Sequence, residues 1–92
     1  MVNLVNKSRD VIISNELGLH ARAAAKIVKI AQNSKTKVWI IKDGQKADAS
    51  SVIDVLSLAC TKGSTITLEI DGQSDIEILN AIVMLVERGF GE

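Results

Sequence analysis

The sequence predicts an α+β domain, an open-faced β-sandwich in which a four-stranded antiparallel sheet carries three helices on one face. Three observations lead there. Apolar residues recur at two periods along the chain, about 3.6 in three stretches and 2 in the others, giving the order β-α-β-β-α-β-α. The clearest strand, Thr65-Ile66-Thr67-Leu68-Glu69-Ile70, is apolar on one face and polar on the other, so the sheet is covered on one side only. Finally, 92 residues without proline and with six glycines suit one domain spanning 1–92 with short connections.

Residues 1–7 read as a frayed lead. The first strand follows at Asp10-Val11-Ile12-Ile13-Ser14. A loop at Asn15–Leu19 contains Gly18, which can adopt backbone angles that other residues resist. The first helix is expected from about Ala21 to Asn33. Its apolar stripe is Ala21, Ala24, Ala25, Val28 and Ala31, with Arg22, Lys26 and Lys29 pointing away. Lys37–Lys42 forms the second strand, Asp43-Gly44 is a strong hairpin signal, and Gln45–Asp48 returns as the third strand. Trp39 fits the half-buried surface of such a sheet.

Ser51-Val52-Ile53-Asp54 reads as a capping box opening a second helix, with Val52, Val55, Leu56 and Ala59 as its buried stripe. Cys60 would lie on this helix as a small core residue, and Gly63 would end it. Asp71-Gly72 turns the chain after the fourth strand. Ser74-Asp75-Ile76-Glu77 is a second capping box, and the third helix runs to about Arg88 with Ile76, Leu79, Val83 and Val86 inward and Ile82 beside them; Gly89 stops it. A right-handed crossover joins the first two strands, and the fourth fills the gap between them, a split β-α-β arrangement.

Composition narrows the function. Apolar residues make up 47% and aromatic ones 2%, so the core is aliphatic. Net charge is zero, yet residues 1–46 hold nine lysines and arginines against three carboxylates, and residues 47–92 hold two against eight. Neutrality and the lack of an aromatic stacking set argue against nucleic-acid binding. Arg22, Lys26 and Lys29 share one helix face that can steer the chain toward an acidic partner. One cysteine excludes an internal disulfide and a cysteine-based zinc site. No apolar run reaches the ~18 residues of a membrane span, so a soluble, cytoplasmic protein is expected.

The lone histidine, His20, sits where the first helix begins. There it faces free backbone N–H groups and the positive end of the helix dipole. That position suits a neutral imidazole that takes up a phosphoryl group whose oxygens are then held, with Arg22 adding a guanidinium. A lone histidine can equally serve as an ordinary surface or core residue, and Ser51 has a complete structural task as a helix cap.

Gly18-Leu19-His20-Ala21-Arg22 opening an alanine-rich helix resembles the active-site motif of the HPr family, the histidine-containing phosphocarriers of the phosphoenolpyruvate-dependent phosphotransferase system. Asp43-Gly44 with Ala47–Ile53 and Leu56-Ser57-Leu58 is similar to the family's regulatory-serine segment, and Lys62–Ile66 and Glu87–Glu92 fit too. The resemblance implies the open-faced sandwich deduced above. It implies that phosphorylated enzyme I passes a phosphoryl group to His20 at Nδ1, and that His20 donates it to an acidic-rimmed IIA-type domain. Arg22 would neutralise phosphate charge, and the amides of Ala21 and Arg22 would bind its oxygens. Ser51 aligns with the serine that an ATP-dependent kinase phosphorylates in many members. Docking would use Arg22, Lys26, Ile53 and Leu56; since Leu56 also belongs to the expected buried stripe, Ile53 is the stronger candidate. Such a chain is a stoichiometric carrier, monomeric, without metal or cofactor, and not an enzyme with its own turnover.

Ala23 departs from the pattern, because many sugar-system members carry proline there. It keeps open a regulatory or nitrogen-branch paralogue. A non-catalytic split β-α-β sensing domain is the alternative from another class, since fold alone never fixes function.

Overall fold

The computed structural model describes residues 7–92; the first six residues of the expected lead lie outside the described residues. The elements follow the expected order: β1 (Ser8–Ile12), α1 (Ala21–Ala31), β2 (Val38–Lys42), β3 (Gln45–Asp48), α2 (Val52–Ser57), β4 (Thr65–Ile70) and α3 (Ile76–Glu87). Short 3-10 turns at Gln73–Asp75 and Gly89–Gly91 flank α3. The sheet order is β1-β4-β2-β3 and every pairing is antiparallel, so β4 fills the gap between β1 and β2.

Alternation along the strands decides which face is covered. Val11, Val38, Ile40, Ala47, Ile66, Leu68 and Ile70 are buried beneath the helices. The opposite face carries Trp39, whose Nε1 donates to the Asp71 carboxylate at 3.1 Å, and the ion pairs Lys46–Glu69 (3.3 Å) and Lys37–Asp48 (2.9 Å). Asp43 (φ 51°) and Gly44 (φ 80°) form the two left-handed central residues of a tight hairpin turn, closing Lys42 onto Gln45.

Several expectations need correction. β1 starts and ends two residues earlier than the apolar run suggested, because Ser8 already pairs with Glu69. On α1 the buried stripe is Ala23, Ala24, Ile27, Val28 and Ala31; Ala21 and Ala25 are exposed. The bulkier Ile27 draws the buried face toward itself, and Ala23 comes with it. α2 stops at Ser57, so Cys60 is not helical and Gly63 does not end the helix. Leu58 and Cys60 are both buried, a two-residue spacing that a helix cannot provide. Ala59 therefore turns outward in a left-handed conformation (φ 51°). On the helix itself Val55 is buried and Leu56 is exposed. Cys60 remains a core residue, and burial pushes its thiol up.

The second capping box is also not formed. Asp75 precedes α3 without capping it. Its buried carboxylate instead accepts from the Lys35 amide (2.8 Å), the Thr36 amide (2.7 Å) and the Thr36 hydroxyl (2.5 Å), tying the α1–β2 loop to the start of α3. These bonds, the Lys35 amide first, hold the Asp75 carboxyl below its ordinary range. Asp48 is held at about 2, chiefly by the Ser50 hydroxyl and amide. A carboxyl depressed on folding stabilises the protein above its unfolded pKa, and that contribution disappears as pH falls through the folded value. Stability should therefore decline as pH drops from about 4 toward 2. Asp75→Ala, which strands two backbone donors, should cost about 2 kcal/mol at neutral pH, lowering the melting temperature by roughly 10 °C and weakening the acid dependence. Thermal melts across pH check both.

Candidate functional site

The site is assembled by a close approach between two loops. Gly18 has φ +64°, and a Cβ there would lie 2.5 Å from the Cys60 carbonyl oxygen and 2.9 Å from the Thr61 Cα. Only glycine lets the chain come this near. The next residue, Leu19, donates its amide to that Cys60 carbonyl at 2.9 Å and buries its side chain. His20 is thereby delivered as the N-cap of α1, with extended backbone (φ −77°, ψ 178°). Its carbonyl accepts the first helical bond, from Ala24 at 2.8 Å.

His20 is half-buried and its side chain makes no capping bond, so the first-turn amides, those of Ala21 and Arg22 among them, have no side-chain cap beside the ring. No acidic residue occupies the first turn to offset the positive end of the dipole. Arg22 is exposed, and no ion pair or hydrogen bond among the described residues holds its guanidinium. Backbone donors, dipole and guanidinium together make a place for an anion next to an imidazole.

The ring has a partner that sequence reasoning missed. His20 Nε2 contacts Oε2 of Glu92. Glu92 Oε1 accepts from Asn15 Nδ2 at 3.0 Å, and the same amide group donates to the Gly18 carbonyl at 2.8 Å. These bonds, Asn15 first and then His20, lower the Glu92 carboxyl from its ordinary range. Glu92 reaches the ring because Gly89 (φ 63°), Phe90 (φ 60°) and Gly91 (φ 76°) turn left-handed in succession while Phe90 buries its ring. The glycines around Phe90 hinted at a sharp turn, but nothing local in the sequence tied Glu92 to residue 20.

Lys26 differs from expectation. It is half-buried, and its ammonium donates to the Phe90 carbonyl at 2.6 Å. It pins the C-terminal turn instead of standing free at a rim. Ser51 is the N-cap of α2 and accepts from the Asp54 amide at 3.3 Å. The reciprocal half of that capping box is replaced, since the Ser51 amide donates to the Asp48 carbonyl at 3.1 Å. Ile53 (79% exposed) and Leu56 (37%) both face solvent on α2, which packs against α1. Leu17, 70% exposed in the loop before His20, adds an apolar residue that the sequence reading did not single out. An apolar groove of about 350 Å³ between α1 and α3, lined by Ile30, Met84, Leu85 and Phe90, does not include His20.

An open-faced α+β sandwich presenting a histidine at a helix start without a side-chain cap defines a class of small domains that set an imidazole beside an anion-favouring helix end. Comparison with known proteins narrows the class to one family. Residues 7–88 match the family model described as "PTS HPr component phosphorylation site". The phosphocarrier protein HPr of Cupriavidus necator is 44% identical over 84 residues, covering 91% of this chain and 94% of that protein. The phosphocarrier protein NPr of Klebsiella oxytoca is 42% identical over 83 residues, covering 89% and 92%. The crystal structure of HPr-C-His from Thermoanaerobacter tengcongensis superposes with a TM-score of 0.88 at 36% identity, covering 95% of this chain and 98% of that one. The chain belongs to the HPr phosphocarrier family of the phosphotransferase system. Among the described residues no helix is long and apolar enough to cross a membrane.

The loop contact yields a direct test. Gly18→Ala adds both left-handed strain and a backbone clash, about 3 kcal/mol together. Gly63→Ala (φ +91°) meets nothing within 4 Å and should cost only the strain, about 1 kcal/mol. Denaturant unfolding of the two variants should reproduce that difference; equal losses would mean that the approach to Cys60 does not constrain the loop.

Proposed function

We propose that this chain carries phosphoryl groups on His20, accepting them from phosphorylated enzyme I and passing them to a IIA-type domain. The observation that carries this reading is the half-buried imidazole standing as N-cap of α1 while leaving the first-turn amides uncapped. A ring nitrogen attacks phosphorus, and the bond to the donor breaks with its electron pair leaving on the donor. The amides of Ala21 and Arg22 and the Arg22 guanidinium hold the phosphate oxygens. No metal or organic cofactor is required, and the chain acts stoichiometrically in the cytoplasm, where its donor is charged from phosphoenolpyruvate. It acts as a monomer; the ion pairs dressing its open sheet face support this, since they leave little bare apolar surface there.

Docking uses the exposed Ile53 and Leu56 together with Arg22, and Lys26 contributes through the turn it pins. Ser51 is a regulatory phosphorylation site for a serine kinase and the matching phosphorylase. A phosphate there meets the start of α2, so the domain stays folded while about two negative charges appear next to the docking face. A second reading, a regulatory or nitrogen-branch member, draws on Ala23, buried in the first turn where many sugar-system members carry proline.

With enzyme I and phosphoenolpyruvate, intact mass should rise by one acid-labile phosphate, and His20→Ala should abolish the gain. No gain in the parent, with the same enzyme I active on another carrier, would overturn the reading. Ser51→Asp should slow the initial rate of acceptance roughly tenfold through lost electrostatic steering. An undiminished rate would remove Ser51 from the docking argument.

A further inference from the structure

The contact on the far side of the His20 ring is built more carefully than a stray surface ion pair. Asn15 is 6% exposed, and its carbonyl oxygen Oδ1 is buried without a hydrogen-bond partner. Turning the amide over would not relieve it, because both groups facing Nδ2, the Gly18 carbonyl and the Glu92 carboxylate, are acceptors. The fold tolerates an orphaned acceptor in order to aim an N–H at Glu92. On the same side, Lys26 fixes the Phe90 carbonyl two residues before Glu92, and the buried Phe90 anchors the left-handed turn. Amide, ammonium and buried ring thus converge to hold one carboxylate against one nitrogen of the lone histidine.

We propose that Glu92, aimed by Asn15, is a positioning residue for phosphoryl transfer at His20, a role that rests on the carrier reading above. An ionised carboxylate only accepts hydrogen bonds, so its contact keeps the proton on Nε2. Nδ1, which has no hydrogen-bond partner among the described residues, then carries the free lone pair. During acceptance Nδ1 attacks phosphorus and the donor departs with the bonding pair. The ring becomes an N-phosphorylated imidazolium, still protonated on Nε2 and neutralised by Glu92. During donation the Nδ1–P bond breaks and its electron pair returns to Nδ1. The ring leaves as neutral imidazole because Nε2 has kept its proton; without that proton it would have to leave as imidazolate. The carboxylate therefore serves both directions of transfer without touching the phosphoryl group.

Glu92 is exposed, so Glu92→Gln should fold normally. Two readouts are taken on the parent and this variant: the ring tautomer by long-range ¹H–¹⁵N NMR in alkaline buffer, and the initial rate of phosphorylation by enzyme I. The parent should hold its ring proton on Nε2, the variant should show a mixture of tautomers, and its rate should fall about tenfold. Asn15→Ala, which leaves His20 and Glu92 in place, should move both readouts the same way by less. A parent that is phosphorylated on His20 while Glu92→Gln matches it in tautomer and rate overturns the positioning role and leaves the carrier reading intact. Faster transfer in Glu92→Gln also overturns it, marking Glu92 as a group that blocks the ring. A parent never phosphorylated on His20 overturns the carrier reading, and the positioning role falls with it.

Discussion

The hydrogen bond from the Leu19 amide to the Cys60 carbonyl is the contact on which the site depends. It exists because Gly18 has no side chain to keep the two loops apart, and because Ala59 turns left-handed so that Leu58 and Cys60 both point inward. From that bond the rest follows in sequence. Leu19 buries its side chain, the backbone at His20 stays extended, and α1 begins one residue later with no side-chain cap on its first amides. The loop after α2 thus does for His20 what a strand would do for a core residue, by holding its backbone from a distant part of the chain. A histidine carried on an unrestrained loop would lose the alignment with the helix start that makes the site suitable for an anion.

Most of the fold was legible because it rests on local patterns. The alternation at Thr65–Ile70, the Asp43-Gly44 turn and the position of His20 ahead of an amphipathic run each specify their own structure, and all three stand as expected. The misreadings have two causes, one local and the other a partner far away in sequence. Leu56 carries an apolar side chain at helical spacing from Val52, but α2 has only six residues, and Leu58 takes the inward place instead. Ser74 and Glu77 have the spacing of a capping box, yet Asp75 between them is claimed by the Lys35 and Thr36 amides forty and thirty-nine positions away. Lys26 looked like a free charge on a polar helix face and is bound to a carbonyl sixty-four positions downstream.

The candidate site divides along the same line. Its N-terminal half, from Gly18 to Arg22, is a contiguous motif and could be read from the sequence directly. Its other half, Asn15 with Glu92, joins a loop asparagine to a residue seventy-seven positions later. Asparagine in a loop and glutamate near glycines are ordinary in any sequence. Their meaning comes only from burial, which leaves Asn15 with an unsatisfied oxygen and one permissible orientation.

Charge shows how local and distant features combine. The basic first half and acidic second half meet across the open sheet face, where Lys37 pairs with Asp48 and Lys46 with Glu69. Lys26 is spent on a backbone carbonyl. What remains on α1 without an ion pair among the described residues is Arg22, in the first turn, and Lys29. A helix start already favours anions, and its effect fades within a turn, whereas an unpaired guanidinium acts out to about a Debye length. Arg22 therefore extends the attraction for an anion outward from the ring, while the amides act only at close range. The same neutral chain can in this way attract an anion at long range and hold it at short range, because Lys26, Lys37 and Lys46 are engaged elsewhere in the fold.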